Sequence, residues 1–241
     1  MVDIIFEIEE QLKDAFPHPQ PAKKMVPGWY KKMSSHVTDF KSPIDFSSGF
    51  NLTMKACIPI RDVITSGYII SLPHDFIARY EEPENNKNLF IYTQRPSSET
   101  YNEPLGLHPV EQVKGSPLEK MAIDDALFKL NNPWRIFTPP GYSCYFTTPY
   151  FHNNPMKIIP GIVDTDKYHE VNFPFTWSST DENIMVKKGM PVVQIIPFRR
   201  EEYNMSVRVL DIKKHRSRAS KFISYLAHFY RDFAHSKKKY N

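Results

Sequence analysis

Glycine is scarce in this chain, 8 of 241 residues, and cysteine is nearly absent, with only Cys57 and Cys144. Two such distant cysteines cannot staple a small secreted scaffold, so they read as buried apolar thiols in a reducing compartment. No Walker A or G-x-G-x-x-G pattern occurs, which excludes the common glycine-rich phosphate cradles. Nine histidines are present, but none falls into an H-x-H, H-x-D or H-E-x-x-H pair, so no metal motif and no cofactor is expected. No apolar run approaches the roughly 20 residues that span a bilayer. Met1-Val2-Asp3 lacks the basic start of a secretory leader, and the expectation is a soluble intracellular protein without a transmembrane segment.

What is abundant points to β structure. There are 17 Phe, 13 Tyr and 21 Pro, in a chain that is 41% hydrophobic. That aromatic content argues against disorder, and the prolines favour turns, strand edges and extended connections over long helices. Short apolar runs set the expected strands: residues 2–8, Tyr68–Leu72, Phe76–Tyr80, Asn88–Arg95, Trp134–Thr138, Tyr142–Thr148, Lys157–Val163, Val171–Ser178, Ile184–Val186, Val192–Phe198 and Met205–Leu210. Pro27 opens a brief helical piece in which Trp29 and Tyr30 pin an N-terminal arm to the body. Cys57 to Ser66 reads as a short turn, and residues 96–125 as an irregular ordered excursion, helical in part at Pro117–Asp125. The organisation is thus an arm over 1–50, a β domain over 51–212, and a C-terminal segment over 213–241.

That last segment carries nine Lys or Arg against one acid, Asp232, giving +8; the chain totals +4, so the rest carries −4. Phe222, Tyr225, Leu226, Phe229 and Phe233 repeat at helical spacing and predict an amphipathic helix over Ser217–His235. Its stripe, with Phe222, Leu226 and Phe229, suits docking on the sheet or on a partner chain. Its basic flank, with Arg216, Arg218, Lys221 and Arg231, admits a nucleic-acid or anionic-surface contact instead.

The one stretch offering reaction chemistry is the acidic turn Gly161-Ile162-Val163-Asp164-Thr165-Asp166. His152 and His169 flank it. Gly141-Tyr142-Ser143-Cys144-Tyr145 lacks the second glycine of a nucleophile elbow and precedes a strand. Alternation puts Cys144 on an inward face with Tyr142 and Phe146. Arg199-Arg200-Glu201-Glu202 is charge-balanced and reads as an exposed strand end.

PPGYSCYFTTP, PGIVDTDKY and the run Lys188-Gly189-Met190-Pro191-Val192-Val193-Gln194-Ile195 resemble, in order, elements of trimeric dUTPases and dCTP deaminases. The resemblance covers about 70 residues. It implies a mainly β, jelly-roll-like double sheet of the dUTPase type, with the arm and the basic helix appended. It further implies Asp164 as the catalytic carboxylate, which activates a water, and Tyr168 and Gln194 as nucleotide contacts. The chain departs from that pattern: Lys167 intervenes before Tyr168, His169-Glu170 replace the glycine, and Phe146-Thr147-Thr148-Pro149 stands where the family's phosphate-holding Arg-Ser lies. Without those grips a triphosphate loses its transition-state stabilisation. The turn then reads as a side-chain-capped scaffold with no arginine, serine or amide to hold an anion.

Pro21-Ala22-Lys23-Lys24 with Trp29-Tyr30, Cys57-Ile58-Pro59-Ile60 with Ser66-Gly67-Tyr68, and Lys188-Gly189-Met190-Pro191 also resemble uncharacterised phage and bacterial proteins. That resemblance brings no activity with it and implies host cytoplasm or virion as the location. The arm and helix around a β core point to protein contacts as the mode of action, and the resemblance to the usually trimeric dUTPases implies self-association. The expected function is a non-catalytic phage protein, as a virion component. The alternatives are a nucleotide-binding or nucleotide-hydrolysing protein centred on Asp164, and a nucleic-acid-binding accessory acting through residues 213–241.

Overall fold

The structure, a computed structural model, describes residues 2–37, 52–81, 88–93, 101, 103–122, 126–178, 183–212 and 230–241. In chain order the elements are β1 (Ile5–Glu7), β2 (Gln20–Pro21), α1 (Gly28–Lys32), α2 (Ile58–Thr65), β3 (Tyr68–Ser71), β4 (Phe76–Glu81), β5 (Asn88–Thr93), β6 (Leu105–Pro109), β7 (Ala126–Leu130), β8 (Arg135–Phe137), β9 (Tyr142–Thr147), β10 (Met156–Ile158), β11 (Gly161–Val163), β12 (Phe173–Trp177), β13 (Asn183–Val186) and β14 (Pro191–Arg199). The fold is mainly β, and every strand pair is antiparallel. Among the described residues four sheets form, in the orders β11-β9-β14-β3-β2, β10-β12-β7-β6, β13-β4-β5 and β1-β8.

One apolar core gathers the inner faces of all four sheets, with Phe76, Leu130, Ile136, Phe146, Met156, Phe173, Phe175, Val192 and Ile195 buried in it. Phe146 on β9 meets Phe173 on β12 at 5.4 Å between ring centres, so the five-stranded and four-stranded sheets face each other across aromatic packing. The arm is stitched into this body. β1 pairs with β8, β2 pairs with β3, and Leu12 and Phe16 bury themselves against Tyr101. Tyr30 is buried, as expected, and the Trp29 indole donates to the Phe151 carbonyl at 2.9 Å.

Four sequence expectations change. Lys157–Val163 is two strands in two different sheets, because Pro160 has no N–H to carry a ladder through. Residues 57–66 hold the helix α2, with Pro59 in its first turn, where a missing N–H costs nothing. The excursion contains the strand β6, ending at Pro109 on a sheet edge. Met205–Leu210 pairs with nothing among the described residues. The expected helix over Ser217–His235 lies outside the described residues except at its end, where Tyr230–Ala234 forms a single π-type turn.

The end of α2 sets the geometry near β14. The last carbonyls of a helix lack intrahelical partners. Here the Thr65 hydroxyl donates to the Arg61 carbonyl at 2.9 Å and the Ser66 hydroxyl to the Asp62 carbonyl at 2.6 Å. Gly67 follows at φ +70°, and a Cβ there would sit 1.8 Å from the Ile195 carbonyl oxygen, so only glycine fits.

Candidate functional site: the acidic turn after β11

The turn hangs from a hairpin-like pair. β11 runs against β9 with Val163 opposite Cys144, and the chain reverses over residues 164–168, where Lys167 and Tyr168 donate their backbone N–H groups to the Asp164 carbonyl at 2.9 and 3.0 Å. Pro139-Pro140-Gly141-Tyr142 makes the facing turn. Its Tyr142 N–H donates to the Pro139 carbonyl at 3.2 Å, and Gly141 takes the left-handed φ of +84° that the third position of a type II turn requires.

Asp166 is wholly engaged by the protein, whereas Asp164 is held through one oxygen and stays half exposed. Asp166 accepts from both Arg200 guanidinium nitrogens, at 2.9 Å on one side, and from the Gly141 N–H at 2.8 Å. The Arg200 hydrogen bonds, aided by the Gly141 amide, overcome burial and hold the Asp166 carboxyl down at about 2. Asp164 accepts from the Ser143 hydroxyl at 2.7 Å and lies 3.2 Å from Arg200. The same arginine donates to the Tyr142 carbonyl at 2.8 Å and to the Ser143 hydroxyl at 3.0 Å. Thr165, fully buried, bonds the Thr138 hydroxyl at 2.8 Å and donates to the Cys144 thiol at 3.3 Å. The expectation of a turn without arginine, serine or amide nearby is therefore corrected: Arg200, Ser143 and the Gly141 N–H all converge there. They grip the turn's own carboxylates.

Arg200 is the residue that reading along the chain misses. Its run reads as a charge-balanced strand end, whereas in the fold Arg200 is the electrostatic centre of the turn. Its role becomes visible only once β14 is placed beside β9, with Arg199 opposite Tyr142. That register sets the next residue over Gly141, whose carbonyl accepts the Arg200 N–H at 2.8 Å.

The other candidates disperse. Gln194 is buried, and its amide is consumed by main chain: it accepts from the Tyr150 N–H at 3.1 Å and donates to the Val63 and Ser66 carbonyls at 2.8 Å each. It lies opposite Thr147 on β9. The Ser143 that holds Asp164 is four residues back along that strand, about 13 Å away. Tyr168 is exposed and lines a shallow depression of about 280 Å³ with Arg135, Phe137 and Lys167. His169 stacks on Phe137 at 4.0 Å, with Nδ1 against the Ile136 and Thr165 carbonyls at 3.2 and 3.1 Å. No group of three His, Cys, Asp or Glu that could hold a metal occurs among the described residues. Cys144 is fully buried, and burial pushes its thiol up to about 11, so it is no nucleophile.

A larger groove of about 740 Å³ runs past Glu7, Glu9, Glu103 and Lys129. Its amides are engaged: Asn131 donates to the Glu103 carbonyl at 2.7 Å, and Asn172 accepts from the Asn132 N–H at 2.9 Å.

At the C-terminus, Arg216, Arg218, Lys221, Phe222, Leu226 and Phe229 lie outside the described residues. Arg231 pairs with its neighbour Asp232 at 2.7 Å. The last residues return to the body, where Asp62 on α2 accepts from His235 at 2.9 Å and from Lys238 at 2.7 Å. Burial acts to raise the Asp62 carboxyl, but these two partners outweigh it and hold it below the usual range. Tyr240 meets Tyr68 edge-on at 6.1 Å, and Lys23 donates to the Asn241 side chain at 2.9 Å. No helix among the described residues is long and apolar enough to cross a membrane. No protein-family model and no curated protein matches this chain.

Proposed function

We propose that this protein is a non-catalytic component that works through protein contacts, as part of a phage virion. The observation that carries the reading is the segment after β14. Residues 201–212 are all exposed, and they include Tyr203, Met205, Val207, Val209, Leu210 and Ile212 at 60 to 100% exposure. A free chain gains nothing by holding six large apolar side chains in water, whereas a partner surface that covers them gains the hydrophobic term.

The acidic turn supports the same reading. A water-activating carboxylate needs its lone pairs free, and a triphosphate needs free donors. Here Asp166 is fully engaged by Arg200 and the Gly141 N–H, and the donors beside Asp164, Arg200 and Ser143, are turned onto the turn's own carboxylates, which leaves none of these to hold a phosphate. Two antiparallel sheets facing each other across one core fit the finer fold, a jelly-roll-like sandwich of the dUTPase type.

A thermal-shift screen with dUTP, dCTP and Mg²⁺, run on the native chain and on Asp164→Asn, tests the proposal. No nucleotide is expected to move the melting temperature of either protein. A large shift in the native chain that Asp164→Asn abolishes would overturn the reading and restore the nucleotide-centred alternative.

A further inference from the structure

Resting on that reading, we infer that residues 201–212 are an exchanged arm, which lays its apolar side on the outer face of the β13-β4-β5 sheet of a second copy of this chain. The arm has the pattern of a strand without a sheet. Tyr203, Met205, Val207 and Val209 alternate with Asn204, Ser206 and Arg208, which puts the four apolar side chains on one side of an extended backbone. No turn or bend interrupts residues 201–210, and no backbone hydrogen bond joins them to another described residue.

The chain also carries a matching surface. Ile77 stands opposite both Met185 and Tyr92 in the sheet register, so the three share a face, and Phe90 joins them by stacking on Tyr92 at 6.4 Å between ring centres. These four are 38 to 50% exposed. The opposite face of the same sheet, with Phe76, Ala78 and Val186, is buried in the core. A half-solvated antiparallel sheet ordinarily alternates apolar with polar. This one gathers Ile77, Phe90, Tyr92 and Met185 on its outer face, beside Arg79, which donates to Asn183 at 3.0 Å.

Geometry selects a second copy over the chain itself. β13 leads into β14 through the turn at Lys187–Met190, so the apolar sheet lies at the start of β14. The arm departs from the other end, nine residues on and roughly 30 Å away. Its exit is fixed by the Arg200 clamp on Asp166 and the Tyr142 carbonyl. Two copies related by a two-fold axis, placed antiparallel, each offer a sheet where the other's arm arrives, which is a closed and self-complementary arrangement. The four apolar side chains of one arm would cover on the order of 500 Å² on their own side, so that two exchanged arms with the faces they cover come to on the order of 2,000 Å², within the size of a stable interface.

Size-exclusion chromatography with light scattering on the full chain at micromolar concentrations tests this. A dimer is expected. Val209→Asp on the arm and Ile77→Asp on the sheet face are each expected to weaken it by about 100-fold, as a charge placed at an interface centre does. Met185→Lys, on the edge strand of the same face, serves if Ile77→Asp disturbs the fold, which near-UV circular dichroism reports. A native monomer overturns the inference. So does a dimer that survives both changes, or one that falls to the arm variant alone. In the nucleotide screen, a native monomer that ignores dUTP removes the exchange and leaves the protein-contact reading standing; a nucleotide shift removes the reading itself.

Discussion

Replacing Gln194 separates a strut from a ligand contact. Its amide nitrogen donates to the Val63 and Ser66 carbonyls and its oxygen accepts from the Tyr150 N–H, all with Gln194 almost fully buried. Val63 lies in the last turn of α2, so its carbonyl is one of those a helix leaves without an internal partner. Gln194→Leu keeps the volume and strands three main-chain groups. At about 1.3 kcal/mol for each of the three unsatisfied groups, toward the low end of the usual range, less about 1 kcal/mol returned by burying more hydrocarbon, the net loss is about 3 kcal/mol. For a domain of this size that lowers the melting temperature by roughly 10 °C. Gln194→Glu adds a test of sign. A carboxylate there faces two carbonyl oxygens, so its folded pKa must rise above the unfolded value of about 4.3. The protonated form can donate to one carbonyl, so the variant's deficit should be smallest below about pH 4 and should grow as pH rises through the raised folded pKa. Urea unfolding followed by the fluorescence of the buried Trp134 and Trp177 measures both. If Gln194→Leu falls within 1 kcal/mol of the native chain, the strut argument is wrong, and a surface-facing role for the amide regains its place.

Two further outcomes follow from the same region. Asp166, at about 2 in the folded state, lies below an unfolded aspartate near 3.9, so the clamp's contribution is complete above about pH 4 and disappears as pH falls toward 2. A carboxyl NMR titration should place its midpoint near 2 and move it upward in Arg200→Met; a native midpoint near 4 would refute the clamp. Gly67→Ala combines about 1–2 kcal/mol for a left-handed alanine with about 1–3 kcal/mol for displacing the Ile195 carbonyl, so a loss of roughly 2–5 kcal/mol is expected in the same urea assay. A cost under 1 kcal/mol would show that α2 and β14 can part without penalty.

Local pattern carried the β character and most strand positions. The runs at Tyr142–Thr147, Phe173–Trp177 and Pro191–Arg199 are short, rich in apolar residues and bounded by Pro, Gly and Asn. What the chain alone could not supply was partnership. Pro59 looks like a breaker until it is seen in the first turn of α2. Met205–Leu210 has the alternation of a strand, but pairing is a property of the neighbour, and none is offered within the described residues. The acidic turn shows the same limit more sharply. Asp164 and Asp166 were evident as a chemical possibility, whereas Arg200 sits 34 residues beyond Asp166 and meets it only because β9 lies between β11 and β14. Charge balance in the Arg199–Glu202 run concealed an arginine whose counter-ion is not its neighbour.

The return of the C-terminus to Asp62 has a consequence for how the chain breaks. While the backbone is intact, His235, Lys238 and Tyr240 stay at their posts by tethering, which keeps their effective concentration high. A protease nick within 201–212 in a lone subunit converts that docking into an encounter between separate molecules held by a few polar contacts, and the end piece diffuses off. Residues 213–241 leave with +8, and the remaining trunk, with its −4, changes from net basic to net acidic. One scission would therefore move the protein from a cation-exchange resin to an anion-exchange one.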